Sequence, residues 1–353
     1  MRFIMKKKTN NRLLVALGCI LLALMVSLLY INISQFSGEV YWRNIGKNLY
    51  KLDVSWPKFP EKFTGQVFGV AVNDVTGLIY VAQRGDNIPK VLVFNRDGYF
   101  VNAWNTSTIE MPHGIFVANA STEPSIWITD VGQGPYGHTI KQYTTSGKLI
   151  RILGSPGEAG SSVTPLQFDQ PAEIFVHSSG DIYIVDGDGG LNNRLIKLSK
   201  DFEVIWMHGG KGIGQGQFNI PHSVAVDKYD RVWVADRENK RIQVFSAISG
   251  EWLGSWSSCF FEDGPYSVRF TSDQKYIIIA RLNINEIMLL KAPPVGEIGL
   301  CNIISSIKMA DGIKPHLVDI DINTQDFYVA EIGAQQAQKF VPYFWGFIFD
   351  IFI

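Results

Sequence analysis

Three of the six histidines in this 353-residue chain directly follow a proline, as Pro112-His113, Pro221-His222 and Pro315-His316. Proline stiffens the approach to each ring and so fixes where the side chain points. Three imidazoles converging on one point, with a fourth position open, form the ligand pattern of a catalytic zinc site. A histidine at a strand start can also be a satisfied polar residue and nothing more, so the fold that carries the three must decide. His138 and His177 fall in or beside turns, and His208 follows an aromatic strand in IWMHGG. These three read as surface or turn residues.

The element that must position the three is clearest in Pro221–Phe245, PHSVAVDKYDRVWVADRENKRIQVF. Ser223–Asp227, Arg231–Ala235 and Arg241–Phe245 carry strand patterns, separated by the polar turn clusters Lys228–Asp230 and Asp236–Lys240. Three short strands joined by tight turns make most of one propeller blade. A blade cannot bury both faces alone, and the pattern recurs, with first strands starting at Phe68, His113, Ala172, His222, Tyr266 and His316. The spacings are 45, 59, 50, 44 and 50 residues, close to the roughly 40–50 of four-stranded blades. The last unit stops after AQKFVP, and Trp42–Val54 offers the strand that would close the ring. The expected fold is an all-β, six-bladed propeller over residues 42–342. In such a ring the first residues of alternate blades lie about 120° apart around the axis. His113, His222 and His316 are therefore expected to meet there and hold one zinc ion.

Residues 1–12 hold five basic residues and no acid, and Leu13–Ile31 follows with nineteen uncharged residues, at about 1.5 Å each enough for about 28 Å. This is either a signal peptide or a signal-anchor helix, by which the chain would meet a membrane if uncleaved. The positive-inside rule then puts the propeller in the lumen or outside the cell. Sequons at Asn32, Asn105 and Asn119 agree with a glycosylated secretory protein. Cys19 lies inside the apolar run, and an oxidising lumen would join Cys259 to Cys301. A net charge of −1 gives no footprint for nucleic acid. Tyr343–Ile353 is an apolar, aromatic tail too short to span a bilayer, with no role legible in it.

The blade sequences resemble NHL repeats, and most of Gly65–Pro342 is similar to the propeller of peptidyl-α-hydroxyglycine α-amidating lyases. The pieces that carry this are QRGDN (83–87), MPHGIFV (111–117), IPHSVAV (220–226) and WVADRENKRIQVF (233–245). VSWPKFPEKFTG (54–65), RGDNIPKVLVF (84–94) and IYIVDGDGGLNNRLIKLSKDF (182–202) resemble more closely still the NHL-repeat-containing protein 3 group. The lyase resemblance implies cleavage of a peptidyl-α-hydroxyglycine to peptide amide and glyoxylate. It implies zinc on His113, His222 and His316, with Arg84 and Arg237 as active-site arginines suited to a carboxylate. Plain turn ion pairs, Arg84 with Asp86 and Arg237 with Asp236 or Glu238, are the other reading of both.

Two departures bear on activity. The tyrosine that the family places after its third-blade strand, as proposed general base, is replaced here by Asp186-Gly187-Asp188-Gly189-Gly190. Asp188 is the candidate to replace it, although a glycine-rich turn with two aspartates is more often only a turn. Leu317 stands where the family has a calcium-binding aspartate, so calcium is doubtful unless Asp319 or Asp321 compensates. The expectation is a zinc-binding propeller with a lyase-like site for a small carboxylate-bearing or peptide substrate, and with weak or no lyase activity. An active lyase and a non-enzymatic, protein-binding propeller are the alternatives. No copper monooxygenase domain accompanies the repeats, so a complete amidating enzyme is not expected.

Overall fold

A computed structural model describes residues 49–119 and 123–343. The basic flank, the Leu13–Ile31 run, Asn32, the start of Trp42–Val54 and residues 344–353 lie outside the described residues. Tyr50–Tyr343 forms one unit of six four-stranded antiparallel sheets. Strand β1 is Tyr50–Leu52. Blade one holds β2 (Gln66–Asn73), β3 (Leu78–Arg84), β4 (Val91–Asn95) and β5 (Phe100–Trp104). Blade two holds β6 (Pro112–Ala118), β7 (Ser125–Asp130), β8 (Thr139–Thr144) and β9 (Leu149–Leu153). Blade three holds β10 (Pro171–Val176), β11 (Ile182–Asp186), β12 (Arg194–Leu198) and β13 (Val204–Gly209). Blade four holds β14 (Pro221–Val226), β15 (Arg231–Asp236), β16 (Arg241–Ser246) and β17 (Trp252–Trp256). Blade five holds β18 (Ser267–Phe270), β19 (Tyr276–Arg281), β20 (Glu286–Lys291) and β21 (Ile303–Lys308). Blade six holds β22 (Pro315–Ile320), β23 (Phe327–Glu331) and β24 (Gln336–Pro342).

Blade six takes its fourth strand from the other end of the chain, because β1 pairs with β24 through Tyr50↔Pro342 and Leu52↔Phe340. The expected closing strand is thus present, as three residues within the described part of Trp42–Val54. The inner strands β2, β6, β10, β14, β18 and β22 pack on one another in that order around a channel. Behind them the second strands bury Tyr80, Trp127, Tyr183, Trp233, Ile278 and Tyr328, one per blade. Large side chains at one repeated position, aromatic in five of the six blades, fill the wedge between neighbouring sheets, and these blades bury their faces only against each other.

In several blades a residue at or next to the end of the second strand ties the blade to the loop that leads into its inner strand. Asp130 accepts Glu110 N at 2.8 Å and Met111 N at 2.9 Å, just ahead of Pro112-His113. Asp236 accepts Asn219 N at 2.8 Å, just ahead of Pro221-His222, and pairs with Arg241 at 2.7 Å. In blade one an uncharged Gln83 does the same work, accepting Thr64 N and Gly65 N at 3.1 and 3.2 Å. Buried carboxylates keep these loops in place because their partners satisfy them fully.

The expected disulfide is present: Cys259, between β17 and β18, is bonded to Cys301, between β20 and β21, with Cα atoms 6.2 Å apart. It closes a segment 42 residues long and packs beside the core of blades four and five. Loop-closure entropy over that length puts the cost of Cys301→Ser at about 2–4 kcal/mol. Thermal unfolding of that variant is expected to match wild-type protein under reducing conditions. An unchanged melting temperature would show that the bond adds nothing.

Candidate metal centre

The inner strands share one irregularity. Pairing with the second strand slips between Val67/Gly69, Pro112/Ile115, Pro171/Glu173, Pro221/Ser223 and Pro315/Val318. Phe68, His113, Ala172, His222 and His316 therefore lie in bulges, and Tyr266 lies just before β18. A bulge re-aims a side chain and frees a backbone group from the ladder. Both effects are used. His113 Nδ1 donates to Ala172 O at 2.8 Å, His222 Nδ1 to Tyr266 O at 2.6 Å, and His316 Nδ1 to Phe68 O at 2.6 Å. Gly114 is a glycine because a Cβ there would come within 2.7 Å of Ala172 O.

A carbonyl can only accept, so each Nδ1 carries the proton and each Nε2 keeps a lone pair. The three rings stand edge to face, with centroids 4.7–4.8 Å apart. Their ligand atoms lie within 4.8 Å of one another. Nε2 of His113 and of His222 is buried without a hydrogen-bond partner. Burial pushes His222 and His316 well below the ordinary imidazole range, which keeps them neutral. The backbone carbonyls behind the rings supply the outer shell that orients histidine ligands. Three oriented Nε2 atoms, two of them buried without a hydrogen-bond partner, fit a metal ion.

Asp188 reaches this ring. It lies in the loop after β11, in the sector that Ala172 leaves open with only a methyl group. Its Oδ2 stands 2.9 Å from His113 Nε2, and its Oδ1 takes Arg237 at 3.1 Å. With the His113 proton on Nδ1, the close contact joins two electron-rich atoms and is no hydrogen bond. A shared cation or proton would reconcile them. Burial alone would raise the Asp188 carboxyl, but His113, His222 and Arg237 outweigh it and hold it well below the usual range.

Arg84 does not pair with Asp86. Its guanidinium lies 3.3 Å over the Phe68 ring, its Nε donates to Pro112 O at 2.8 Å, and one terminal nitrogen is buried without a partner. Burial lowers it to about 10, still a cation at neutral pH. Arg237 does pair with Glu238 at 3.1 Å, but it also reaches Asp188 and lies 4.8 Å over Tyr266. The Tyr266 ring sits 5.0 Å from His222. Phe68 and Tyr266 wall the site, a role the sequence reading left unassigned although both stand at the ring position.

Deeper in the channel the charges are already matched. Arg269 holds Glu173 at 2.7 Å and approaches Asp319 at 3.4 Å, and Asp321 is taken by Arg96. Neither aspartate is free to replace a calcium ligand, and among the described residues only the three histidines group as a metal cluster. Asn105 is exposed after β5, whereas Asn119 is half-buried with Nδ2 donating to Asp74 at 3.2 Å. His138 is buried rather than superficial, while His208 stacks on Phe245.

Comparison with known proteins matches Phe218–Phe245 to the NHL repeat. The chain is 59% identical over 308 residues to NHL repeat-containing protein 3 of Homo sapiens, covering 87% of this chain and 88% of that protein. It is 27% identical over 266 residues to peptidyl-alpha-hydroxyglycine alpha-amidating lyase 1 of Drosophila melanogaster, covering 67% of this chain and 46% of that protein. Virginiamycin B lyase from Staphylococcus aureus superposes with a TM-score of 0.52 at 17% identity, over 78% of this chain and 81% of that one. At that identity the likeness is one of fold.

Breaking the axis pair is expected to be costly, because it leaves a buried guanidinium short of its main counter-charge. Glu173→Ala should destabilise the propeller by about 3–5 kcal/mol, read by chemical denaturation. A loss under 1 kcal/mol would mean that water reaches Arg269.

Proposed function

This chain belongs to the NHL repeat-containing protein 3 family, and from that premise we propose a lumenal or extracellular propeller that binds zinc through His113, His222 and His316. The site above the metal would be lyase-like, open to a small carboxylate-bearing or peptide ligand. The observation that carries this reading is the set of buried Nε2 atoms whose rings are fixed through Nδ1. Zinc bound there supplies a Lewis acid for a substrate oxygen. Arg84 offers a buried, unpartnered nitrogen to a carboxylate, and Asp188 is the only carboxylate within 4 Å of a ring nitrogen of the triad among the described residues. The disulfide and the exposed Asn105 support an oxidising, secretory compartment.

Elemental analysis of the purified chain should find about one zinc ion per chain. His222→Ala should lose most of it and His177→Ala should keep it. Equal retention by both variants would remove the site.

Lyase turnover is proposed to be weak. The lyase family's tyrosine is missing, and Asp188 is already engaged, by Arg237 at 3.1 Å and with its other oxygen 2.9 Å from His113 Nε2. Loss of a positioned base costs a factor of about 10²–10⁴. Glyoxylate release from a peptidyl-α-hydroxyglycine should fall short of an authentic lyase by at least about 10² at equal zinc occupancy. Comparable turnover would overturn this. If Asp188→Asn then abolished it, the carboxylate would be the base and the active-lyase reading would stand.

A further inference from the structure

A second cavity, of about 500 Å³, lies at the other end of the channel. The inner strands lead from the histidine ring to it, at about 3.3 Å per residue. Phe116, Phe175, Ala225, Arg269 and Asp319 line it. Each stands three residues after its blade's ring position, so they form the layer about 10 Å below the histidines. Phe116 and Phe175 pack together with ring centroids 5.1 Å apart, and Phe270 adds a third aromatic wall. The size and the mainly apolar lining suit a small organic ligand.

The charges in the cavity do not balance. Arg269 is committed to Glu173 in a two-nitrogen contact at 2.7 and 3.2 Å. Asp227 is matched by Arg231 at 2.7 Å. Lys228 is exposed, with its amine 5.2 Å from the Tyr229 ring. His177 is occupied with Ser179 at 2.9 Å. Asp319 faces Arg269 at 3.4 Å. Asp74 remains, in no ion pair among the described residues, held by Ile322 N at 3.0 Å and Asn119 Nδ2 at 3.2 Å. Burial first, with Asp319 and Asp321 adding to it against Ile322 N and Arg96, pushes Asp74 up to about 7. Asn119 also lines the cavity, and its Oδ1 is a buried acceptor with no donor among the described residues.

An acceptor without a donor among the described residues, one acid outside any ion pair and three aromatic faces ask for one kind of guest. We propose that this cavity binds a small organic ammonium ion, a primary amine on an apolar body. The amine would donate to Asn119 Oδ1 and Asp74, and its body would lie against Phe116, Phe175 and Phe270, whose ring faces attract a cation. This reading is independent of zinc and of any lyase activity.

The test is isothermal titration of the full-length chain with 2-phenylethylamine, and with phenylacetate as a probe of the same body and opposite charge. One amine is expected per chain, with phenylacetate at least about tenfold weaker. Asp74→Asn and Phe175→Ala should each weaken the amine by at least about fivefold, while Arg84→Ala, at the other mouth, leaves its affinity unchanged. Absence of amine binding by the folded chain would overturn the proposal. So would equal affinity for the two probes, loss of binding in Arg84→Ala, or unchanged affinity in both cavity variants. Should Asp74→Asn fail to fold, Phe175→Ala and the choice between probes decide the matter.

Discussion

Everything at the centre of this molecule answers to one constraint: six inner strands each present an unpaired edge to the channel. A strand edge carries backbone donors and acceptors that must find partners once water is excluded. Neighbouring blades do not pair edge to edge here, since each sheet stops at its own inner strand. Side chains cross the gap instead. Val224 N is taken by Glu173, Val268 N by Ser223, Val318 N by Ser267 and Val72 N by Asp319. The carbonyls of Phe68, Ala172 and Tyr266 are taken by the three histidines. Alternation of histidine with other residues around the ring is thus first a way to finish three strand edges. Metal chemistry follows from it, because a ring that spends Nδ1 on the next blade has only Nε2 to turn inward.

The same constraint explains why charge sits so deep. Glu173 and Arg269 are fully enclosed, which is expensive unless every lone pair and proton is used. They are nearly all used: Glu173 also takes Ser223 and Val224, and Arg269 also donates to Val268 O at 2.9 Å. The pair therefore works as an internal cross-link between blades three, four and five. It places a fixed cation on the axis, bonded to the chain, close to where a bound ion would otherwise have to gather carboxylates.

Much of the fold could be read because it is written six times. The period, the inner-strand starts and the closing strand all follow from patterns that recur with small changes. The histidine triad was legible for the same reason, since Pro-His at three alternate starts leaves few other arrangements. What the repeat does not encode was harder to see. Nothing in DGDGG (186–190) says that Asp188 reaches His113, because that depends on the room left by Ala172 in the ring. The axis pair did leave a trace. Arg269 and Asp319 occupy the register position that holds Ala71, Phe116, Phe175 and Ala225 in the other blades, and opposite charges there, in adjacent blades, imply contact. Reading Asp319 and Asp321 as spare calcium ligands overlooked Arg269 and Arg96, which lie far away in sequence. The sequon at Asn119 was a local pattern, blind to Asp74 packed against it from another blade.

The two arginines of the upper mouth show how a repeated scaffold admits function without losing stability. Register equates Gln83 in blade one with Asp236 in blade four, since they face Val67 and Pro221 just before the bulges. These residues bind the incoming loop, so substituting them would loosen the histidine beside it. The next residue ties the same loop through its backbone N–H, as Val131 N to Met111 O, Arg237 N to Ile220 O and Ile332 N to Lys314 O, and its side chain has no such duty. It is Arg84, Val131, Gly187, Arg237, Leu282 and Ile332 around the ring. There a guanidinium can reach the upper mouth while the carboxamide or carboxylate behind it keeps the strand ends tied. Chemistry is therefore expected at the residue after each anchor, and structure at the anchor. In this chain Asp188, two residues beyond Asp186, lies on the same permissive side of that boundary.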